Sequence, residues 1–242
     1  MPRSGSTAPK SVEPKPPKWR RRPEHRPQQI IEAALEVFGE CGLAKSRLQD
    51  IAERAGVSKG TIYLYFPNKE ELFREMIRQT AVANIAMGEK AVTQGTPTEQ
   101  LCAAMRGYWK FVRSPVFSTI HRLVLGELHQ FPDLAEFYAN EVTARGLKLL
   151  SGIIRRGIDA GEFRDIDPMI AARMLAALTI MNGIWRDEHT GVPLLCHKTD
   201  EEVFRELAHF YLHSIITTEG AHAQADGAPS DAASLIPLNN DS

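Results

Sequence analysis

Apolar residues recur every three to four positions along nearly the whole chain, which is the spacing of one face of an α-helix. No segment of useful length alternates between apolar and polar residues as a half-buried strand would. The pattern therefore predicts an all-α protein. A first helix, ended by Gly42, is predicted from the apolar stripe Ile30, Ile31, Ala34, Leu35 and Phe38. Beyond it and the motif described next, the predicted helical spans are 68–94, 98–113, 115–130, 133–160, 167–188 and 200–218.

A second helix is predicted to begin at Ser46. Serine is a good N-cap, and Gln49 three residues later completes a capping box. Gly56 fits the left-handed position that ends such a helix, because glycine has no Cβ to clash there. The buried stripe of this helix is Leu48, Ile51, Ala52 and Ala55.

A short third helix is predicted to follow almost at once. Ser58 is its N-cap, and Pro67 ends it because the residue before a proline is driven towards an extended conformation. Asn68 then caps a longer fourth helix, with Glu71 at the capping-box position. The order is helix, sharp turn, short helix, stop and long helix.

The third helix is too short to be explained by core packing alone. Ile62 and Phe66 are spaced to pack inward. Hydroxyls, an amine and phenols at a helix N-terminus suit phosphate oxygens and base edges, and a glycine lets the backbone approach a duplex closely. The outward residues that carry these groups are Ser58, Lys59, Gly60, Thr61, Tyr63 and Tyr65.

Residues 28–77 resemble the DNA-binding domain of the tetracycline-repressor (TetR) family in both identity and spacing. One departure is Arg47, where the family more often has a small hydroxyl residue. The resemblance rests on Ile31, Ala34, Phe38, Gly42, Ile51, Ala52, Ala55, Gly56, Val57, Ser58, Lys59, Gly60, Thr61, Tyr63, Tyr65, Phe66, Lys69, Glu70 and Leu72.

The resemblance implies an N-terminal three-helix helix-turn-helix domain (28–77) and a long helix that joins it to a six-helix C-terminal domain (78–218) for ligand sensing and dimerisation. It also implies roles for single residues. Ser46 and Arg47 contact the DNA backbone at the second helix. Ser58, Lys59, Gly60, Thr61 and Tyr63 lie in the major groove, with Thr61 and Tyr63 reaching bases, while Tyr65 and Lys69 hold phosphates. The plainer alternatives are that Tyr63 and Tyr65 pack against the protein and that Lys69 is a solvated surface residue.

Dimerisation is expected, because one short recognition helix contacts too little DNA and two must lie about 34–36 Å apart to meet successive major grooves. The last two predicted helices have apolar stripes that would form a four-helix interface with a second copy. In the alternative interpretation both stripes pack inside one subunit. The predicted interface residues are Leu175, Leu178, Phe204, Leu207 and Tyr211.

A ligand pocket is expected between the C-terminal helices, since aromatic and methionine walls with a few polar groups suit an apolar or amphipathic small molecule. His121 or Asn182 would hold its polar end. For each residue the alternative is ordinary core packing. The predicted pocket residues are Met105, Tyr108, Trp109, His121, Phe137, Tyr138, Met181, Asn182 and Trp185.

The formal net charge of −1 hides a strong asymmetry along the chain. Residues 1–27 form a basic, proline-rich leader that is predicted to be disordered, and residues 219–242 form an acidic tail without Lys or Arg, also predicted to be disordered. Arg20, Arg21 and Arg22 would either contact DNA as an arm or belong to a solubilising leader. The basic end adjoins the DNA-binding domain, as expected for a nucleic-acid-binding protein.

Other functional classes find little support. The three cysteines have no metal-ligand spacing and suit a reducing cytoplasm. The apolar run Met169–Trp185 is interrupted by Arg173 and Asn182, which favours a buried helix over a membrane span. Residues 56–61 lack the order of a phosphate-binding loop, and His209 and His213 lack a third metal ligand. We therefore expect no enzymatic activity, cofactor, metal or membrane partner.

The predicted function is sequence-specific, ligand-responsive regulation of transcription by a cytoplasmic homodimer bound to a double-stranded DNA operator. The resemblance favours a repressor that a small molecule releases from a palindromic operator by tilting the fourth helix. The alternative is a non-specific architectural DNA-binding protein, which predicts basic residues spread over the whole chain rather than gathered at one end.

Overall fold

The computed structural model describes residues 26–185 and 198–217, and within them the chain is helical, with one isolated β-bridge between Phe163 and Ile216 and no strand. The leader, apart from its last two residues, and the acidic tail lie outside the described residues. The helices are α1 (Arg26–Lys45), α2 (Leu48–Arg54), α3 (Lys59–Tyr65), α4 (Lys69–Ile77), α5 (Ala83–Ala91), α6 (Pro97–Val112), α7 (Pro115–Gly126), α8 (Pro132–Tyr138), α9 (Arg145–Asp159), α10 (Pro168–Trp185) and α11 (Asp200–Ile215).

Two long helices are continuous through a π-helical turn. The turn Arg78–Val82 joins α4 to α5, and the turn Ala139–Ala144 joins α8 to α9. A short 3₁₀ helix, Leu128–Gln130, connects α7 to α8. The predicted long fourth helix and the predicted span 133–160 are therefore confirmed as continuous helical segments.

Three of the four residues predicted to begin or end the short helices are confirmed. The side chain of Ser58 accepts the backbone N–H of Thr61, and that of Asn68 accepts the backbone N–H of Glu71. Gly56 has a φ of 64°, the left-handed conformation predicted for the end of α2. These three features fix the sharp turn between α2 and α3 and the direct entry into α4.

The predicted cap of α2 is wrong. Arg47, in an extended conformation, occupies the N-cap and makes no side-chain capping bond. Ser46 is only 4% exposed, and its hydroxyl donates to the carbonyl oxygen of Leu43 at 2.8 Å. The α1 helix kinks at Gly42 and continues to Lys45, so Ser46 satisfies the end of α1 instead of the start of α2.

Two hydrophobic clusters form the core. The first joins α1–α4 to α7 and α8, because Ile120, Leu123, Leu128 and Leu134 pack in the same cluster as the DNA-binding helices. The second lies between α6, α9, α10 and α11. Helices α7 and α8 therefore pack directly on the helix-turn-helix unit, while α10 and α11 belong to the distal part of the chain.

Helix α10 is apolar on nearly all sides, with Arg173 and Asn182 as its strongly polar residues. Its inner face, including Ala172 and Leu175, is buried against its neighbours, but Met174, Met181 and Trp185 are exposed. Among the described residues it has the length and hydropathy that a membrane crossing requires, with 28% of its 18-residue window buried. One such helix is weak evidence of a membrane span. The expectation of a buried helix holds for one face only.

Candidate DNA-binding site

Helix α3 is fixed by its N-cap. The Ser58 hydroxyl lies 3.1 Å from the backbone nitrogen of Thr61 and 2.8 Å from the Thr61 hydroxyl. Ile62 is fully buried and Phe66 is 6% exposed, so one face of the helix is anchored in the first hydrophobic cluster. The predicted inward residues are confirmed, and the opposite face of α3 is left to solvent.

The exposed face of α3 contains the groups expected to meet DNA. Lys59 and Gly60 are exposed, and Tyr63 and Tyr65 are 49% and 38% exposed, so neither tyrosine is packed inside the subunit. Leu64 is 83% exposed, and the sequence analysis did not single it out. Leu64 follows the buried Ile62 by two residues, so it does not belong to the inward apolar stripe of α3. This spacing is the sequence signal that could have identified Leu64 as exposed.

Gly60 has no steric role in the folded chain. A Cβ built on Gly60 would meet only the Ser58 hydroxyl, at 3.9 Å, an ordinary contact distance. Glycine in a helix is less stable than alanine by roughly 1 kcal/mol. Packing inside the subunit therefore does not require glycine at this position.

The Lys69 side chain forms hydrogen bonds within the subunit. Its ammonium donates to the carbonyl oxygens of Leu43 and Ala44 at 2.7 and 2.9 Å and lies 3.4 Å from that of Ser46. It also lies 5.8 Å from the ring centroid of Phe131. The ammonium thus satisfies the C-terminal carbonyls of α1 in the free subunit, and the phosphate contacts expected of this side chain and of the buried Ser46 stay predictions.

Some basic side chains of the helix-turn-helix unit form ion pairs within the subunit, and others do not. Arg54 forms ion pairs with Glu36 and Glu40 at 2.9 and 2.8 Å, and these bonds raise the pKa of its guanidinium and lower the pKa of Glu40. Arg47 and Lys59 are exposed and form no ion pair with a described residue. These two cations lie at the starts of α2 and α3, where the sequence analysis predicts contacts with DNA.

The predicted ligand pocket is divided by the structure. Met105 and Trp109 are buried in the second hydrophobic cluster, with the Trp109 ring 6.3 Å from that of Phe204. Met181 and Trp185 are about two-fifths exposed on the outer face of α10. Asn182 lines a groove of about 240 Å³ between α10 and α11. The nine residues therefore do not surround one cavity.

Four of the predicted pocket residues and two further aromatic residues lie on the consecutive helices α6, α7 and α8. We call this group the α6–α8 aromatic cluster: Tyr108, Phe111, Phe117, His121, Phe137 and Tyr138. Phe117 stacks on His121 with ring centroids 5.3 Å apart and contacts Phe111 edge-on at 5.5 Å. Burial lowers the pKa of His121, which favours its neutral form. Phe111, Phe137 and Tyr138 pack against the first hydrophobic core, to which the DNA-binding helices belong.

The predicted dimer interface is wrong for three of its five residues. Leu175, Phe204 and Tyr211 are at most 3% exposed within a single subunit, and the Tyr211 hydroxyl donates to the carbonyl oxygen of Ala171 at 2.8 Å. Leu178 and Leu207 line the groove between α10 and α11. The outward apolar side chains of these two helices are Met169, Ile170, Met174, Met181, Trp185 and Phe210.

Among residues 26–185 and 198–217, no three His, Cys, Asp or Glu side chains come together as a metal site would require. His209 and His213 are exposed one turn apart on α11, with ring centroids separated by 4.0 Å. The Nδ1 atom of His213 lies 3.0 Å from the carbonyl oxygen of His209.

Comparison with known families agrees with this architecture. Residues 30–76 match the family described as bacterial regulatory proteins, tetR family, and residues 99–213 match the C-terminal domain of AefR-like transcriptional repressors. Both families are described as regulators of transcription.

Individual relatives cover most of the described chain. The fatty acid metabolism regulator protein of Bacillus subtilis is 31% identical over 160 residues, covering 64% of this chain and 79% of the relative. The regulator BetI 1 of Chromohalobacter salexigens is 30% identical over 208 residues, covering 83% and 95%. The crystal structure of FadR from Bacillus subtilis in complex with stearoyl-CoA is 26% identical, with a TM-score of 0.62 and coverage of 76% of this chain and 97% of that chain. The helix-turn-helix geometry, both family matches and these relatives show that the chain belongs to the TetR family and is a ligand-responsive DNA-binding transcriptional regulator.

Proposed function

We propose that this protein is a cytoplasmic homodimeric repressor that leaves a palindromic operator when a small amphipathic molecule binds between α6 and α8. The observation that carries the proposal is the outward face of α3. Polar and aromatic side chains are exposed there, on a helix whose opposite face is fully anchored. An exposed helix of this kind matches the recognition helix that enters a major groove.

The DNA contacts divide into phosphate and base contacts. Arg47 and Lys59 bind phosphates, because both are exposed cations at helix starts. Tyr63 reaches base edges, and Tyr65 donates its hydroxyl to a phosphate. Thr61 is half-buried with its hydroxyl at that of Ser58, so it contributes mainly its methyl group to a base.

Lys69 assists DNA binding indirectly in this proposal. Its ammonium holds the end of α1, and its backbone amide lies at the first position of α4, where the positive end of the helix favours a phosphate oxygen. The contact assigned by the family resemblance is therefore moved from the side chain to the main chain.

The dimer forms through the outer faces of α10 and α11. Ile170, Met174, Met181 and Trp185 recur at helical spacing and are each more than two-fifths exposed, and Phe210 on α11 is 66% exposed. Apolar side chains in such a continuous arrangement mark a protein–protein contact. Two copies joined there place two α3 helices on one palindromic site.

The effector acts through helices that pack on both domains. Phe111, Phe137 and Tyr138 pack against the first hydrophobic core, so a molecule that enters between α6 and α8 also displaces the helix-turn-helix unit. The related FadR structure contains stearoyl-CoA, which supports an amphipathic effector for this chain. We propose functional domains at 28–77 and 78–218, coupled through that shared core.

The experiment is genomic fragment retention at near-physiological salt, with a Thr61→Ala/Tyr63→Ala double variant beside the wild type. A few retained fragments that share a palindrome and are lost in the double variant support the proposal. Equal retention of all fragments by both proteins, abolished by modest salt, would indicate a non-specific architectural protein and overturn it. Met87→Ala, at an exposed position of α5 remote from α3, is the control.

A further inference from the structure

Gly60 and Leu64 form the face of α3 that lies opposite its buried residue. Successive residues of an α-helix are about 100° apart, so both positions lie within about 20° of the direction opposite Ile62. The exposed fractions follow this geometry: Ile62 is fully buried, Tyr65 is 38% exposed, Tyr63 is 49% exposed and Leu64 is 83% exposed. Because Gly60 carries no side chain, Leu64 provides the outermost side chain of this face.

The position of Leu64 distinguishes it from other exposed leucines. An exposed leucine is common in itself, and Leu125 on α7 is 70% exposed. Leu64, however, lies on a helix whose other face is anchored, because Ile62 and Phe66 pack in the first hydrophobic cluster. The same helix begins with the exposed cation of Lys59. Leu64 is therefore held outward on the helix that the proposed function places in a major groove.

The whole of α3 is short enough to lie within a major groove. Its seven residues span about 10 Å at about 1.5 Å per residue, and the groove is about 12 Å wide. A helix of this length can enter with the Gly60–Leu64 face leading. The glycine then lets the backbone approach the duplex, and the leucine side chain meets base edges instead of a phosphate.

The chemistry of leucine limits what it can recognise there. Its side chain neither donates nor accepts a hydrogen bond, so it leaves a polar base edge without the water that it displaces. The apolar group that a base pair presents in the major groove is the C5-methyl group of thymine. Contact between the two removes apolar surface of both from water, which is favourable.

We propose that Leu64 is a specificity-determining residue that selects thymine at one position of each operator half-site by contact with the C5-methyl group. Cytosine lacks this methyl group, and the purines present polar atoms to the leucine side chain. The inference rests on the proposed function and adds a base contact to those of Thr61 and Tyr63.

The test measures the coupling between Leu64 and single methyl groups of the DNA. The operator recovered by fragment retention is synthesised with deoxyuridine in place of thymidine, one position at a time and in both half-sites. Uracil differs from thymine only in lacking the methyl group. Wild-type affinity, measured by fluorescence anisotropy, should fall by roughly tenfold at the position that Leu64 contacts, since two buried methyl groups are lost.

Leu64→Ala should weaken binding to the unmodified operator by a similar or larger factor. The variant should also be insensitive to deoxyuridine at that one position, while the effects at other thymine positions stay as in the wild type. Such non-additivity is the signature of a direct contact. Helicity and the urea unfolding midpoint should stay close to the wild-type values, because the side chain is exposed in the free subunit.

Leu125→Ala is the matched control, since it makes the same substitution at an exposed leucine on α7. It should bind modified and unmodified operators as the wild type does. The inference would be overturned by unchanged affinity of Leu64→Ala for the unmodified operator, or by deoxyuridine effects in this variant that equal those of the wild type at every position. Half-sites without a thymine to which wild-type binding is sensitive would also overturn it.

Fragment retention separates this inference from the proposed function. A wild-type protein that retains no specific operator fragment refutes the proposed function, and the role of Leu64 falls with it. Specific retention of a palindrome together with one of the contrary results refutes only the thymine contact of Leu64.

Discussion

The carboxylate of Glu127, just after the end of α7, accepts the backbone N–H of Ala44, near the end of α1, at 2.7 Å. From the other side, the ammonium of Lys69 donates to the carbonyl oxygen of the same Ala44 at 2.9 Å. The peptide units around Ala44 are thus the point where α1, α4 and α7 meet. A displacement of α7 by an effector reaches the DNA-binding domain through α1 as well as through the long helix that begins with α4.

Gly42→Ala should destabilise the protein by about 2.5–6 kcal/mol. Gly42 has a φ of 82°, which is unfavourable for a residue with a Cβ, and a Cβ there would overlap the carboxylate of Glu127. The backbone conformation of Gly42 (φ 82°, ψ 168°) is one that almost only glycine adopts, and it accounts for about 1–3 kcal/mol. The lost charged hydrogen bond accounts for about 1.5–3 kcal/mol. Urea unfolding at neutral pH measures the change.

The Glu127→Ala background separates the two contributions. There the overlap is absent, so Gly42→Ala should cost only the conformational part, about 1–3 kcal/mol. Gly126→Ala is the control, since a Cβ at that position has no neighbour within 4 Å. An equal loss of stability from Gly42→Ala in both backgrounds would show that Glu127 does not occupy this position.

Lys69→Met should lower stability without changing the salt dependence of operator binding. The substitution leaves the carbonyl oxygens of Leu43 and Ala44 without their charged donor, a loss of about 1.5–3 kcal/mol. Lys59→Met should do the opposite: stability is unchanged, and the slope of log affinity against log salt falls by about one. Unfolding curves and anisotropy titrations at several salt concentrations check both. A reduced slope for Lys69→Met would show that its ammonium contacts a DNA phosphate.

Gly60→Ala should stabilise the free protein and weaken operator binding. Alanine is favoured over glycine in a helix by roughly 1 kcal/mol, and the free protein has room for the Cβ. On DNA the added methyl group holds the backbone away from the duplex, so affinity should fall by roughly tenfold or more, as for the loss of a good base contact. Thermal unfolding and anisotropy measure the two effects. Unchanged affinity would show that the start of α3 does not approach the duplex closely.

Local signals predicted the helices and the turn of the DNA-binding domain well. Ser58, Gly56 and Pro67 act within one or two turns of the chain, so their effect is readable from neighbouring residues. Ser46 shows the limit of such signals. Serine is a residue type that favours the N-cap position, but α1 continues past its kink at Gly42 almost to Ser46. The Ser46 hydroxyl donates to the carbonyl oxygen of Leu43 instead.

The sequence predicts that the distal segments are helices, but it does not predict which face of each helix is buried. Helix α10 is apolar on nearly all sides, so periodicity does not tell whether Leu175 or Met174 points towards the subunit core. The same problem affected the pocket prediction, since Trp109 and Tyr108 are adjacent on α6 and serve different clusters. Only the packing of α6, α9 and α11 decides which face remains outside.

The neutral imidazole of His121 should make stability depend on pH. Burial lowers its pKa from the ordinary value of 6.5, so between the two values the unfolded chain binds more protons than the folded one. This contribution to stability is fully present above pH 6.5 and falls as the pH drops through the folded pKa. His121→Gln should therefore lose less stability than the wild type between pH 7.5 and 5.5 in urea unfolding. His129→Gln, at an exposed site, should follow the wild type; equal losses in all three proteins would contradict a buried neutral His121.

Met174→Glu should separate the dimer while leaving each subunit folded. Met174 is 60% exposed on the outer face of α10, so a carboxylate there is solvated in the monomer but would be buried without a counter-ion in the proposed interface. Sedimentation at micromolar concentration should show monomers with wild-type helicity, and specific operator retention should be lost because two recognition helices are no longer held together.

Its neighbour Leu175 should behave in the opposite way. Leu175 is fully buried within the subunit, so Leu175→Ala creates a cavity and should lower stability by about 2–5 kcal/mol without specifically separating the dimer. Met87→Glu on α5, also exposed, controls for an added surface charge and should stay dimeric. Dissociation by Leu175→Ala but not by Met174→Glu would mean that the inner stripe, Leu175 with Phe204 and Tyr211, forms the interface after all.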